Sequence, residues 1–202
     1  MRKKLSILLV AAVLCLLTTA CIPTPMGEQP STLPGDYTME MIFSSGAGGW
    51  RTILLLHPDG TFTGQHSDSD MGDAGYGYPD GTVYLCDFSG RFEALPTTDP
   101  NATPLRLVDL TCETAAGRMK LEDGIRYIYS EPIGLYIYEE ETVAEEFILY
   151  SPDTPVATLS DEMLSWWPGL WQDTPPETLD CYALWSSETG SAFFSSSGYF
   201  YY

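Results

Sequence analysis

The fold turns on Thr52-Ile53-Leu54-Leu55-Leu56-His57-Pro58-Asp59-Gly60-Thr61-Phe62-Thr63-Gly64-Gln65-His66. Proline fixes φ at the first turn position and glycine takes the left-handed one, so Pro58-Asp59-Gly60 is a tight turn. The flanking runs are β-branched, apolar and aromatic without helical spacing, which makes them two antiparallel strands joined by a three-residue hairpin loop. Pairing His57 with Thr61 across that loop sets His66 opposite Thr52. The chain has only these two histidines. At one strand rise per residue they stand about 17 Å apart, on opposite faces, and no shared zinc site is expected.

From residue 36 onward the chain is a series of such short runs separated by turn residues. Tyr78-Pro79-Asp80-Gly81-Thr82 repeats the phrase His57-Pro58-Asp59-Gly60-Thr61. Two copies are too few for a solenoid, so the same turn chemistry is used twice. Residues 82–88 form a further strand, turned by Ser89-Gly90 into 91–95 as a second tight hairpin. Strands are expected at 105–112, 125–129, 134–138 and 145–150, then at 182–185, 191–195 and 199–202. One helix is expected over 159–167, where Ser160 can cap, Asp161 and Glu162 stand in the first turn, and Pro168-Gly169 stops it. About ten strands and one short helix make an all-β domain: an antiparallel β-barrel or a two-sheet sandwich, in which closure or stacking protects the strand edges. Residues 35–202 are enough to bury about 70% of their unfolded surface, so the domain needs neither metal nor disulfide to fold.

Met1 to Lys4 is basic, residues 5–17 are apolar apart from Ser6, and Thr18-Thr19-Ala20 places small side chains before Cys21. That is the layout of an export signal over residues 1–20. Its apolar run is shorter than the roughly 20 residues a spanning helix needs. The Thr18-Thr19-Ala20-Cys21 end resembles the lipobox of bacterial lipoproteins, with Thr18 where that family carries an aliphatic residue. The resemblance implies cleavage before Cys21, a diacylglycerol on its sulfur, and anchoring at the extracytoplasmic face of the cell membrane. Two acyl chains suffice for stable anchoring, since each buried methylene contributes about 0.8 kcal/mol. Residues 21–34 hold Pro23, Pro25, Pro30 and Pro34 with no apolar periodicity, the composition of an extended tether. The Gly35-Asp36-Tyr37 opening before the hairpins is similar to lipocalin-like barrels, an architectural likeness that assigns no residue a function.

The chain holds 28 acidic and nine basic residues, a net charge of −19. Arg2, Lys3 and Lys4 lie in the export signal, so the exported part is more acidic still. Such a surface repels phosphate backbones and excludes nucleic acid as a partner.

Asp68-Ser69-Asp70-Met71-Gly72-Asp73 puts three carboxylates in a bendable loop, the oxygen-rich backbone that calcium accepts. Gly72 and Pro79 occupy the fifth and twelfth positions, where an EF-hand needs ligands, so a solvated polar loop is the alternative. No other cofactor is expected. Trp166, Trp167, Trp171 and Trp185 are either core or an aromatic surface for a carbohydrate or apolar ligand. With Cys15 in the signal and Cys21 lipidated, Cys86, Cys112 and Cys181 remain. Cys86 and Cys112 lie in neighbouring strands and are the expected disulfide. There is no Gly-x-Ser-x-Gly element, and so many acids make any one carboxylate pair uninformative; no catalytic residue is expected. These features describe a membrane-anchored, non-catalytic module that holds a small apolar or carbohydrate ligand or meets another surface protein. A calcium-stabilised structural or adhesion module is the alternative, and a hydrolase with a carboxylate pair stands third.

Overall fold

In the computed structural model, residues 33–45 and 49–196 are described. The expected export signal, Cys21, the expected tether up to residue 32 and the strand expected at 199–202 lie outside the described residues. Alternation with a period of two sets the pattern from the first strand. In β1 (Met39–Ser44), Met39, Met41 and Phe43 are buried and Glu40 is exposed. β2 (Trp50–Leu56) buries Thr52, Leu54 and Leu56, and β3 (Thr61–Asp70) buries Phe62 and His66. The two pair in the register read from the sequence, with Thr52 opposite His66. Their turn closes with the Gly60 N–H donating to the His57 carbonyl at 2.9 Å, and Gly60 has φ 84°.

β4 (Thr82–Ala94) is a single strand of 13 residues. The hairpin expected at Ser89-Gly90 does not form, because both residues are paired within the ladder on either side, with Thr63 and Phe62 of β3 and with Thr111 and Leu110 of the strand that follows. A Cβ on Gly90 would lie 2.3 Å from the Asp109 carbonyl oxygen and 2.5 Å from the Phe62 ring. The glycine therefore marks a place where the Phe62 ring and the next strand press against the backbone, not a reversal. That next strand is β5 (Ala102–Cys112), and the β4–β5 register skips Val108, passing from Arg91↔Asp109 to Phe92↔Leu107. The extra residue reverses the parity of β5. Leu105 and Leu107 before it, and Leu110 and Cys112 after it, all pack on the same core.

The chain continues through β6 (Met119–Glu122), β7 (Ile125–Tyr129) and a small hairpin of β8 (Tyr136–Ile137) with β9 (Thr142–Val143). It then resumes the main sheet with β10 (Glu146–Tyr150), β11 (Ala183–Ser186) and β12 (Ser191–Ser195). The order β1-β2-β3-β4-β5-β10-β11-β12 is antiparallel throughout, and β12 returns to β1 through Met41↔Ser195 and Ile42↔Phe194. The molecule is thus a closed eight-stranded up-and-down β-barrel, with β6 to β9 inserted between its fifth and sixth staves. Closure of a single sheet decides between the barrel and the sandwich. Eight strands leave an interior just wide enough for side chains to fill. Here the fill is aromatic, with Phe92 lying 4.9 Å from Phe62 and 5.0 Å from Phe147 between ring centroids.

β11 and β12 are buried on both faces. Leu184 and Phe193 point into the barrel, while Ala183, Trp185, Ala192 and Phe194 point outward. The outer set is covered by Met163, Trp167, Leu179 and Cys181 from the long β10–β11 connection. In that connection the expected helix shrinks to α1 (Asp161–Leu164), capped by the Ser160 hydroxyl accepting from the Met163 N–H at 3.2 Å. Pro168 disfavours helical backbone at Trp167, whose ψ is 121°, and the chain goes on as a 3-10 turn over Pro168–Trp171. One end of the barrel is closed by Leu33, which is buried and donates its N–H to the Pro58 carbonyl at 2.9 Å. Packing of the domain thus includes Leu33, two residues before Gly35.

Candidate functional site

The other end of the barrel is built differently. β3 and β4 continue past the point where β5 leaves, and β7 takes its place beside β4 in parallel, from Thr82↔Arg126 to Leu85↔Tyr129. Side chains on the inner face of this extension form rows across the strands. Gly64, Phe88 and Cys112 make one row; Thr52, His66 and Cys86 the next; Asp68, Tyr84 and Ile128 the outermost. Polarity rises toward the end, and the chain after β7 folds back over it. The result is a cavity of about 500 Å³ lined by His66, Asp68, Tyr84, Ala116, Gly117, Ile128, Tyr129, Ser130, Glu131, Ile133 and Tyr138.

His66 is the fixed point of this wall. It is fully buried, and its Nδ1 lies 2.9 Å from Thr52 Oγ1. The Thr52 hydroxyl has one proton, which it donates to the Ile133 carbonyl at 2.9 Å. Thr52 must therefore accept from His66, which puts the imidazole proton on Nδ1 and leaves Nε2 with a bare lone pair. Nε2 is buried and has no hydrogen-bond partner among the described residues, and the same holds for Ser130 Oγ. Burial holds the His66 pKa below its usual 6.5, against the opposing pull of Asp68, so the ring is neutral near pH 7.

Cys86 and Cys112 sit just inside, with their sulfurs 3.5 Å apart as two free thiols. The sequence brought the pair together correctly, but no bridge joins them. Burial raises both thiol pKa values, and for each the charge of Glu131 pushes the same way. Both are held protonated, the wrong form for a nucleophile. Burial and Glu131 also raise the Tyr138 phenol.

The three aspartates expected to gather calcium are separated by their own bonding. Asp70 Oδ1 accepts from the Gly72 and Asp73 N–H groups at 2.9 and 3.1 Å. Asp73 pairs with Arg126, which also donates to Tyr78 Oη at 3.0 Å and to Thr82 Oγ1 at 3.1 Å and stacks on the Tyr78 ring. Asp68 lines the cavity instead. Among the described residues no three histidine, cysteine or acidic side chains are grouped to hold a metal ion.

The four tryptophans form no shared surface either. Trp167 is fully buried against the outer face of β11 and β12, a face to which the nearly buried Trp185 itself belongs. Trp166 packs on Phe43 at 4.9 Å and donates its indole N–H to the Gly190 carbonyl at 2.9 Å. Only Trp171, 81% exposed, faces solvent. The aromatic density answers the need to cover two strands on both sides. His57 stays at the far hairpin, bonded to Thr38 Oγ1 at 2.8 Å.

Sequence reasoning weighed His66 and Asp68 only as metal ligands and missed Tyr84, Ile128, Tyr129, Glu131, Ile133 and Tyr138 as a wall. The available signal was parity. Phe62, Gly64, His66 and Asp68 share one face of β3, so a histidine and an acid follow apolar positions on the inward side. Comparison with protein-family models, with curated proteins and with solved structures gives no match, so the site is read from its own geometry. Fold and cavity together define the class: a small up-and-down β-barrel with a filled interior and a pocket at one end.

Proposed function

We propose that the protein is a membrane-anchored, extracytoplasmic ligand-binding module. Cys21 carries the diacylglycerol, and the pocket at the barrel end takes a small molecule with an apolar body. The observation that carries this reading is the cavity of about 500 Å³ walled by Tyr84, Ile128, Tyr129, Ile133 and Tyr138. Ligand sites of small proteins are of this size, with apolar and aromatic walls and a few polar groups to orient the guest. The barrel interior is filled by phenylalanines, which leaves the end as the place to bind. The up-and-down order of eight strands, shared with lipocalin-like barrels, is compatible with such a role. Thiols held protonated by burial favour holding a molecule over transforming it.

Native mass spectrometry of the protein, purified from membranes without chelator, tests both halves. An intact mass that begins at a diacylated Cys21, with a further small mass lost on denaturation or gained from a panel of small aromatic molecules, is expected. A chain with its first 20 residues retained removes the anchor. A bare chain that takes up no member of the panel removes the ligand site.

A further inference from the structure

We propose that this pocket selects small organic cations, an ammonium group carried on an apolar or aromatic body; this rests on reading the cavity as a ligand site. Two carboxylates, Asp68 and Glu131, reach the lining, and none of its residues is a lysine or arginine. The tautomer fixed by Thr52 makes His66 a neutral acceptor there, so it adds a lone pair and no positive charge. Nε2 of His66 and Oγ of Ser130 are both buried without hydrogen-bond partners among the described residues. A buried acceptor left unpaired is costly, and a guest that brings donors relieves that cost.

An ammonium supplies three donors and no acceptor, the complement of this wall. Tyr84, Tyr129 and Tyr138 add electron-rich rings, which attract cations, while Ile128 and Ile133 suit an apolar body. A carboxylate or phosphate guest would meet two like charges and no cationic side chain. A neutral hydrocarbon would leave Nε2 unsatisfied. A bare metal ion is the remaining cation, and the described residues gather no set of three ligands for it.

Three probes with one phenethyl body separate the possibilities: 2-phenylethylammonium, 2-phenylethanol and 3-phenylpropionate. Each is titrated into the purified full-length protein by calorimetry, with the His66 and tyrosine ring signals followed by NMR. The ammonium is expected to bind at least about tenfold more tightly than the alcohol, and the carboxylate not at all. Glu131→Gln and Asp68→Asn should each weaken the ammonium several-fold more than they weaken the alcohol. Both side chains are only half-buried, and shifts of the His66 and tyrosine signals on adding the alcohol verify that each variant keeps its pocket. Alcohol or carboxylate binding as tight as the ammonium overturns the cation proposal and leaves the ligand site standing. If no probe moves the His66 or tyrosine signals, the ligand site itself falls, and the cation proposal with it.

Discussion

Replacing Thr52 by valine removes one oxygen and preserves side-chain shape, so its effect isolates the relay that orients His66. The hydroxyl bonds to His66 Nδ1 and to the Ile133 carbonyl, both at 2.9 Å. In the variant the Nδ1 proton is stranded in a fully buried site, at about 1–3 kcal/mol. The Ile133 residue is half-buried, and loss of its bond adds about 1 kcal/mol. The sum is about 2–4 kcal/mol, which for a domain of this size lowers Tm by about 5–15 °C. Thr52→Ser keeps the hydroxyl and loses one methyl, for about 1 kcal/mol. Urea unfolding followed by tryptophan fluorescence gives both values. Nitrogen NMR of the His66 ring should show the proton on Nδ1 in the parent and in the serine variant. A valine variant within about 0.5 kcal/mol of the parent, or no worse than serine, would refute the relay and with it the assignment of Nε2 as a bare acceptor.

The remaining predictions concern pH, thiols and packing. Because burial lowers the His66 pKa below the 6.5 of the unfolded chain, its contribution is fully present above about pH 6.5 and is lost as pH falls through the lower folded-state value. Unfolding free energies from pH 7 to 5 should therefore fall more steeply for the parent than for His66→Gln; equal slopes would contradict a buried neutral ring. Burial pushes the Cys181 thiol up to about 12 and raises Cys86 as well, so at pH 8 both should alkylate with iodoacetamide only at the rate of unfolding. Rapid labelling of either in the folded protein would contradict their burial. Trp167→Ala should cost about 3–5 kcal/mol and Trp171→Ala less than about 0.5 kcal/mol by chemical denaturation. Gly90→Ala should lose about 1–3 kcal/mol through its clash with the Asp109 carbonyl and the Phe62 ring, whereas a neutral result would contradict that close approach.

The hairpin at residues 52–66 was legible to the level of register because proline and glycine act locally and fix the loop length, and loop length fixes which residues face each other. Ser89-Gly90 misled for a related reason. The same glycine that permits a turn also permits a ring and a neighbouring strand to touch the backbone, and only the tertiary structure separates the two uses. The helix was seen at its cap, Ser160, and overestimated beyond Leu164, because Trp166 and Trp167 belong to packing against the barrel and not to a helical face. Barrel closure through β12 and β1 joins residues about 150 positions apart, which no local pattern reports. The pocket was hidden for the same reason. Its wall comes from residues 66–68, 84 and 116–138, and the parallel pairing of β7 with β4 that joins them has no signature in either segment.

The central claim, a ligand pocket at the barrel end, is tested most directly by NMR of the protein carrying labelled isoleucine methyls. Ile128 and Ile133 line the cavity, while Ile42, Ile53 and Ile148 sit on β1, β2 and β10 of the barrel wall and serve as controls. On titration with small aromatic amines, the account predicts saturable shifts at Ile128 and Ile133 and still signals at the other three. Shifts spread evenly over all five, or none at Ile128 and Ile133, would contradict it.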